Sequence, residues 1–214
     1  MKVAVFGATG GIGSQIVRFA LQKNYQVHAY VRNPDKMDKT LVLDERLRVF
    51  VGQVNNYEPI KAAMDGCDAV VVALGISMKP GHEDTSSIEA HQNIIAIMRE
   101  SGIQRLVDWS TPSVKSKEDV TSCITTLPGI MAGIFLPKAK KTLLAVSELV
   151  TNSGLDWTMV RFMAPKDTPY TGKVKVSFGK NKLKFAVSRA DIAAFMVEQI
   201  ESTEYLHRMP IIGS

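Results

Sequence analysis

Apolar positions along this chain repeat with two periods in turn, and the alternation lays out its elements before any composition is counted. Lys2–Phe6 is a short apolar run, and the segment after it places Ile12, Ile16, Phe19 and Ala20 on one face of a helix. "YQVHAYV" predicts a second strand and "LRVFVG" a third. "DAVVVALG" is apolar throughout, as expected of a parallel strand covered on both faces. A helix follows over 85–100, closed by Ser-Gly; "RLVDWS" is a fifth strand, 138–152 a helix closed by another Ser-Gly, and "DWTMVRF" a sixth strand. Strands alternating with helices predict an α/β fold, Rossmann-like and doubly wound, with a mainly parallel sheet and right-handed crossovers.

The rhythm changes after residue 165. "KVKVSF", "GKN" and "KLKFAV" predict a hairpin around a glycine turn. Ser188 with Asp191 three residues later resembles a capping box that opens a last helix with Ile192, Phe195 and Met196 inward. No repeat, low-complexity tract or linker divides the chain, so we expect a single domain over 1–214. Its core lies at about 1–165, and a small C-terminal hairpin and helix at 166–214 wall a substrate pocket. The longest irregular stretch, 111–137, ends in "LPGIMAGIFLP" and follows the fifth strand, where open sheets bind ligands. A loop of that length is more often functional than idle, packing against the body being the alternative.

The first strand meets its helix through "GATGGIG", with Gly7, Gly10 and Gly13 at spacing three. Such a turn aims bare backbone N–H groups and the positive end of a helix dipole at one point, which suits a dinucleotide pyrophosphate. An NAD-preferring site usually has a carboxylate at the end of the second strand. Here "AYVRNPDK" has Arg32 instead, with Lys36 four residues on. A guanidinium holds a 2′-phosphate through charge-assisted bonds, so the residues point to NADPH (NADP). "NPDK" also predicts a helix start with Asn33 as cap and Pro34 in the first turn.

Composition narrows the partners. The N-terminus lacks the apolar length and cleavage site of a signal peptide, and no run reaches the roughly 18 apolar residues of a membrane span, so we expect a cytoplasmic protein with no membrane partner. Cys67 and Cys123 form no metal-ligand pattern, and we expect two buried structural thiols and no metal. Net charge is +5: residues 1–110 balance 12 Lys and Arg against 12 Asp and Glu, while 111–214 carry 14 against 9. The basic half could draw an anionic ligand or simply be solvated. With no aromatic residues interleaved among its lysines, no nucleic-acid partner is expected.

"GATGGIG", "YVRNPDK", "VVVALG", "SGLDWTMVR" and "SRADIAAFM", in that order over nearly the whole chain, resemble the atypical short-chain dehydrogenase/reductase family, its NAD(P)H-binding group, and within that the flavin reductase and biliverdin-IX beta reductase-like branch. The resemblance implies a monomer or weak homodimer that reduces flavins or linear tetrapyrroles with NADPH. It places Gly7, Thr9, Gly10, Gly11, Ile12 and Gly13 around the pyrophosphate and nicotinamide, Arg32 on the 2′-phosphate with Lys36 near it, and Leu74 and Gly75 beside the ribose. The family's adenine-contacting acid after the third strand is Gln53 here, followed by Val54.

Departures at the chemical centre narrow the reaction. The Tyr-x-x-x-Lys pair of ordinary short-chain dehydrogenases is absent: none of the five tyrosines has a lysine at that spacing or begins the 138–152 helix. The hydroxyl that the flavin reductase branch keeps after the fifth strand falls on Thr111, with Ser110 adjacent, and the branch's histidine after the sixth strand falls on Ala164. Either hydroxyl could bond an acceptor or turn the backbone. His82 and Glu83 lie in a loop where substrate could pass, although His82 and His91 are expected as solvated or core histidines. Met78, Met131 and Met163 are pocket-lining candidates or filler. The expected reaction is hydride transfer from NADPH to a small planar acceptor such as a flavin, quinone or tetrapyrrole. The alternative is a non-catalytic NADP(H) sensor.

Overall fold

The computed structural model describes residues 1–77 and 85–214. Its main sheet has eight strands. In chain order they are β1 (Lys2–Phe6), β2 (Gln26–Val31), β3 (Leu47–Val51), β4 (Ala69–Val72), β5 (Arg105–Ser110), β6 (Asp156–Arg161), β8 (Lys175–Ser177) and β10 (Ile211–Gly213). Across the sheet the order is β3-β2-β1-β4-β5-β6-β10-β8, parallel except for the last pair. A two-residue strand β7 (Pro165–Lys166) pairs separately with β9 (Val187–Ser188).

Period-two burial explains the layers. Val3, Val5, Val71 and Val107 face helices α1 (Gly13–Gln22) and α7 (Arg189–Glu198), whereas Ala4, Phe6, Val70, Val72 and Leu106 face α3 (Tyr57–Met64), α4 (Ser86–Ser101) and α6 (Pro137–Thr151). The strand and helix positions expected through residue 165 are found, within three residues at their ends; the largest difference is at β4, which stops at Val72 where the apolar run continues to Gly75. Asn33 caps a short turn of helix at Pro34–Lys36 by accepting a bond from Asp35 N, and the one-turn helix α2 (Lys39–Val42) follows. The strand order reverses between β1 and β4, and a doubly wound sheet opens its binding crevice at such a switch point.

Three expectations about the elements fail. The stretch 111–137 is not irregular: it carries helix α5 (Cys123–Phe135), entered through Ser122, whose N–H donates to Thr125 Oγ1 at 3.0 Å. The hairpin around "GKN" does not form. β8 pairs with β10, and Lys184 exchanges N–H···O bonds of 3.0 and 3.1 Å with Ser214, so both arms bind the C-terminal segment rather than each other. Alternation fixes which face of a strand is apolar but leaves its partner to tertiary packing. The capping box at α7 is half made: Ser188 Oγ accepts from Ala190 N, but the Asp191 carboxylate accepts from Thr171 N, Gly172 N and Thr171 Oγ1. Asp191 thus ties α7 to the segment before β8.

Cys67 is buried, and burial pushes its thiol up to about 12, as suits a structural thiol. Cys123, expected to be buried, is exposed at the start of α5.

Candidate functional site

Two cavities meet over the glycine turn. The smaller, of about 180 Å³, is lined by Gly7, Thr9 and Gly10 after β1, by Tyr30, Val31 and Arg32 at the end of β2, by Val54, by Ala73, Leu74 and Gly75 after β4, and by Ser86 and Ser87 at the start of α4. Gly10, Ala73 and Gly75 also line the larger. The turn needs its glycines for space as well as conformation. Gly7 holds φ at +81°, and a Cβ there would meet the Ala73 carbonyl; one at Gly13 would collide with the Gly7 carbonyl. Gly10 N donates to Gly7 O at 2.9 Å and closes the turn. Helix α1 follows with no side-chain cap and no acid in its first turn, which leaves its positive end to an anion.

Arg32 is exposed and borders the small cavity, and no carboxylate lines it among the described residues. Tyr30 Oη donates to the Gln53 carbonyl at 2.8 Å and so fixes the turn after β3. Val54 reaches the cavity wall from that turn; the Gln53 side chain is exposed outside it, as is Lys36. Gly13 supports the turn from behind without lining either cavity.

The larger cavity, about 680 Å³, lies within the range of small-molecule sites. Gly11 and Ile12 floor it beside the glycine turn; Trp109, Thr111 and Ser113 enter from the end of β5; α5 and α6 contribute chiefly apolar side chains; and Phe162 to Pro165 close the far wall. Trp109 and Phe162 stack with centroids 5.4 Å apart and planes inclined by 26°, and Trp109 Nε1 donates to Leu74 O at 2.9 Å. Neither aromatic was singled out in the sequence; Trp109 was open to a period-two reading of β5, whereas Phe162 lies just past the end of β6. Trp109 and Thr111 share the cavity face; Asp108 and Ser110 point to the other.

Thr111 therefore opens into the large cavity and Ser110 does not. Thr111 Oγ1 lies 2.6 Å from Ser113 Oγ in a shared hydrogen bond, whereas Ser110 is fully buried with its Oγ 3.4 Å from Ser147 Oγ on α6. Ser110 belongs to the packing between sheet and helix. Met131 and Met163, candidates in the sequence, line the large cavity, and so does Ala164. His82, Glu83 and Met78 lie outside the described residues.

Only Lys140 and Arg189 carry charge among the described residues lining the large cavity. Lys140 Nζ donates to Gly129 O at 2.9 Å; Arg189 pairs with Asp167 at 2.5 Å. No group of three or more potential metal ligands occurs among the described residues. His91 sits behind the small cavity in a buried pair that the sequence did not place. Its Nε2 lies 3.0 Å from Asp108 Oδ2 and its Nδ1 2.5 Å from Ser87 O. Burial pushes the imidazole down, but the Asp108 charge and both hydrogen bonds outweigh it and the net shift is upward. Both ring nitrogens face acceptors, so the charged imidazolium fits the site.

Fold and crevice together define a dinucleotide-binding protein of the NAD(P)H-dependent oxidoreductase class. The chain belongs to the NAD(P)H-binding family, whose model matches residues 7–203. It is 24% identical to oxidoreductase ptaF of Pestalotiopsis fici over 99% of this chain and 84% of that relative. Among solved structures, a short-chain dehydrogenase/reductase of Veillonella parvula in complex with NADP covers 100% of this chain and 94% of that one at TM-score 0.81 and 15% identity. ChuY of Escherichia coli O157:H7, described as an anaerobillin reductase, covers 100% and 97% at TM-score 0.78 and 20% identity. At these identities the solved structures speak for the fold. No helix among the described residues is long and apolar enough to cross a membrane.

Proposed function

We propose that the protein is an NADPH-dependent reductase that passes hydride to a planar conjugated acceptor such as a flavin, quinone or tetrapyrrole. The observation that carries this reading is the apolar cavity beside the glycine turn, with a stacked Trp109–Phe162 pair and no carboxylate or histidine among its described lining. An aromatic pair of this kind gives a flat acceptor a surface to lie against. A ketone would need a proton donor at its oxygen as hydride arrives, whereas a conjugated ring accepts hydride and spreads the charge until solvent supplies the proton.

Gly7, Thr9, Gly10 and the start of α1 would hold the pyrophosphate, Arg32 the 2′-phosphate, and Leu74 and Gly75 the ribose. Gly11 and Ile12 would lie under the nicotinamide, where the two cavities join. Hydride donation is the chemistry the nicotinamide supplies when bound; the chain positions and shields the two rings. Of Ser110 and Thr111, Thr111 would be the hydroxyl in reach of an acceptor, because it lines the large cavity. The names given to ptaF and ChuY, an oxidoreductase and an anaerobillin reductase, agree with this class of reaction.

The test is loss of reduced-nicotinamide absorbance when purified protein is mixed with NADPH and FMN, a quinone or a linear tetrapyrrole in turn. Turnover with at least one of them, faster than with NADH, is expected. Binding of NADPH with no oxidation by any acceptor would replace the reductase with a sensor of NADP(H).

A further inference from the structure

Helix α5 is built inside out. Thr125 and Pro128 are its buried residues, while Leu127, Ile130, Met131, Ile134 and Phe135 stand 51%, 54%, 46%, 68% and 66% exposed. These five follow one another at helical spacing and make a continuous apolar stripe on the solvent side. No charge falls anywhere in 120–137. Leu144 of the adjoining α6, 45% exposed, adds to the apolar surface.

The surroundings are basic. Across 111–151 there are five lysines and three acids. Two of those acids serve the fold: Asp119 pairs with the buried Arg161, and Glu118 with Arg208. Lys115 and Lys117 are exposed before α5, and Lys138 and Lys141 are exposed on the first turns of α6. Lys140 reaches Gly129 O, so the start of α6 runs beside the middle of α5. The helix is also the cavity wall, since Met131 and Phe135 are both exposed and line the apolar cavity. The cavity therefore opens on the stripe.

We propose that α5 is an interfacial helix that seats the protein on an anionic lipid surface, with the cavity mouth against the lipid. The acceptor would then be a lipophilic conjugated molecule dissolved in the bilayer, a part that rests on the reductase reading. An apolar stripe beside lysines supplies the two signals that peripheral membrane binding combines, acyl-chain contact and attraction to acidic headgroups. A second copy is a poorer occupant because a two-fold contact through α5 would bring the same basic surroundings of both copies together. A protein cover would also close the mouth the acceptor must use, which fluid lipid leaves open. This docking departs from the expectation of no membrane partner and requires no span.

The experiment is cosedimentation of the full chain with phosphatidylcholine vesicles, with and without phosphatidylserine, comparing wild type with the double variant Ile130→Glu, Ile134→Glu. Neither residue lines a cavity. Wild type should partition to the phosphatidylserine vesicles roughly tenfold more strongly than the variant, and less at high salt. An unchanged circular dichroism spectrum and NADPH affinity would show that the variant is folded. Wild type left in the supernatant, equal sedimentation of the two proteins, or a wild-type dimer that the variant abolishes would each overturn the docking. Sedimentation needs no turnover, so its failure is separate from failure of the reductase reading. Where turnover exists, a long-chain quinone held in the vesicles should be reduced about tenfold faster by wild type than by the variant, and a water-soluble quinone equally by both. Equal rates on the vesicle-held quinone would overturn delivery from the membrane.

Discussion

The small cavity and the large one share three residues and little else in construction. Backbone at the ends of neighbouring parallel strands makes most of the first: Gly7 and Gly10 after β1, and Ala73 to Gly75 after β4. Side chains from α5, α6 and the segment after β6 make most of the second. A cofactor end set by backbone at a switch point comes with the sheet, whereas an acceptor end set by side chains from later elements is free to change without disturbing the sheet. On the function proposed above, the division would let a common dinucleotide fold keep its cofactor while its acceptor varies.

The largest expected effect tests whether the two ends are separable. Arg161, fully buried at the end of β6, donates through Nη1 and Nη2 to Asp119 at 2.7 and 2.6 Å, and also to the carbonyls of Met209 and Val114. This pair holds the chain entering α5 against the sheet. Asp119→Ala leaves a buried guanidinium without its counter-ion and should lower unfolding free energy by about 3–5 kcal/mol in urea denaturation. In the fraction that remains folded, the affinity for acceptor should fall well before that for NADPH. Parallel loss of both would show that the cavities are one unit.

The next effect lies at the other end. If Arg32 holds the 2′-phosphate as proposed, Arg32→Ala removes charge-assisted bonds worth about 1.5–3 kcal/mol, so NADPH binding should weaken roughly 10- to 100-fold while NADH binding stays nearly constant. Titration of intrinsic tryptophan fluorescence with each cofactor measures both. Equal weakening would remove the 2′-phosphate from Arg32 and leave the small cavity without a preference between the two cofactors.

How far the sequence could be read follows the same division. The glycine turn, Arg32 and the β4 end, which line one cavity, are local signals: glycine at a strand–helix junction and a basic residue at a strand end each stand out within a few positions. Helix α5 was illegible because Pro128, Gly129 and Gly133 interrupt a run that is apolar on its outward face, the reverse of the pattern that marks a helix lying on a core. The lysine-valine alternation at 173–177 declared a strand but not that its partner lay at 211–213. Ser110 and Thr111 needed only the pleat to be told apart. His91 and Asp108 are 17 positions apart in the chain, and only the packing of α4 on β5 joins them.

That pair gives the smallest of the expected effects. Asp108 Oδ1 accepts from Trp109 N at 2.7 Å and Oδ2 faces His91 Nε2, so the dyad links the start of α4 at the small cavity to Trp109 at the large one. His91 is raised in the folded state, and its protonation therefore contributes stability that is fully present below the unfolded value of about 6.5 and is lost as pH rises through the folded value. In Asp108→Asn the amide oxygen keeps the bond to Trp109 N while the NH₂ donates to Nε2. The neutral ring with its proton on Nδ1 is then preferred, and burial alone pushes the histidine down. Stability of the variant relative to wild type should rise with pH across the range around the ordinary histidine value of about 6.5. His28, lowered by its own burial, is common to both proteins and cancels in the difference. Urea midpoints of the two proteins across that range measure the sign, and a difference that stays flat with pH would mean that His91 is neutral in the native protein.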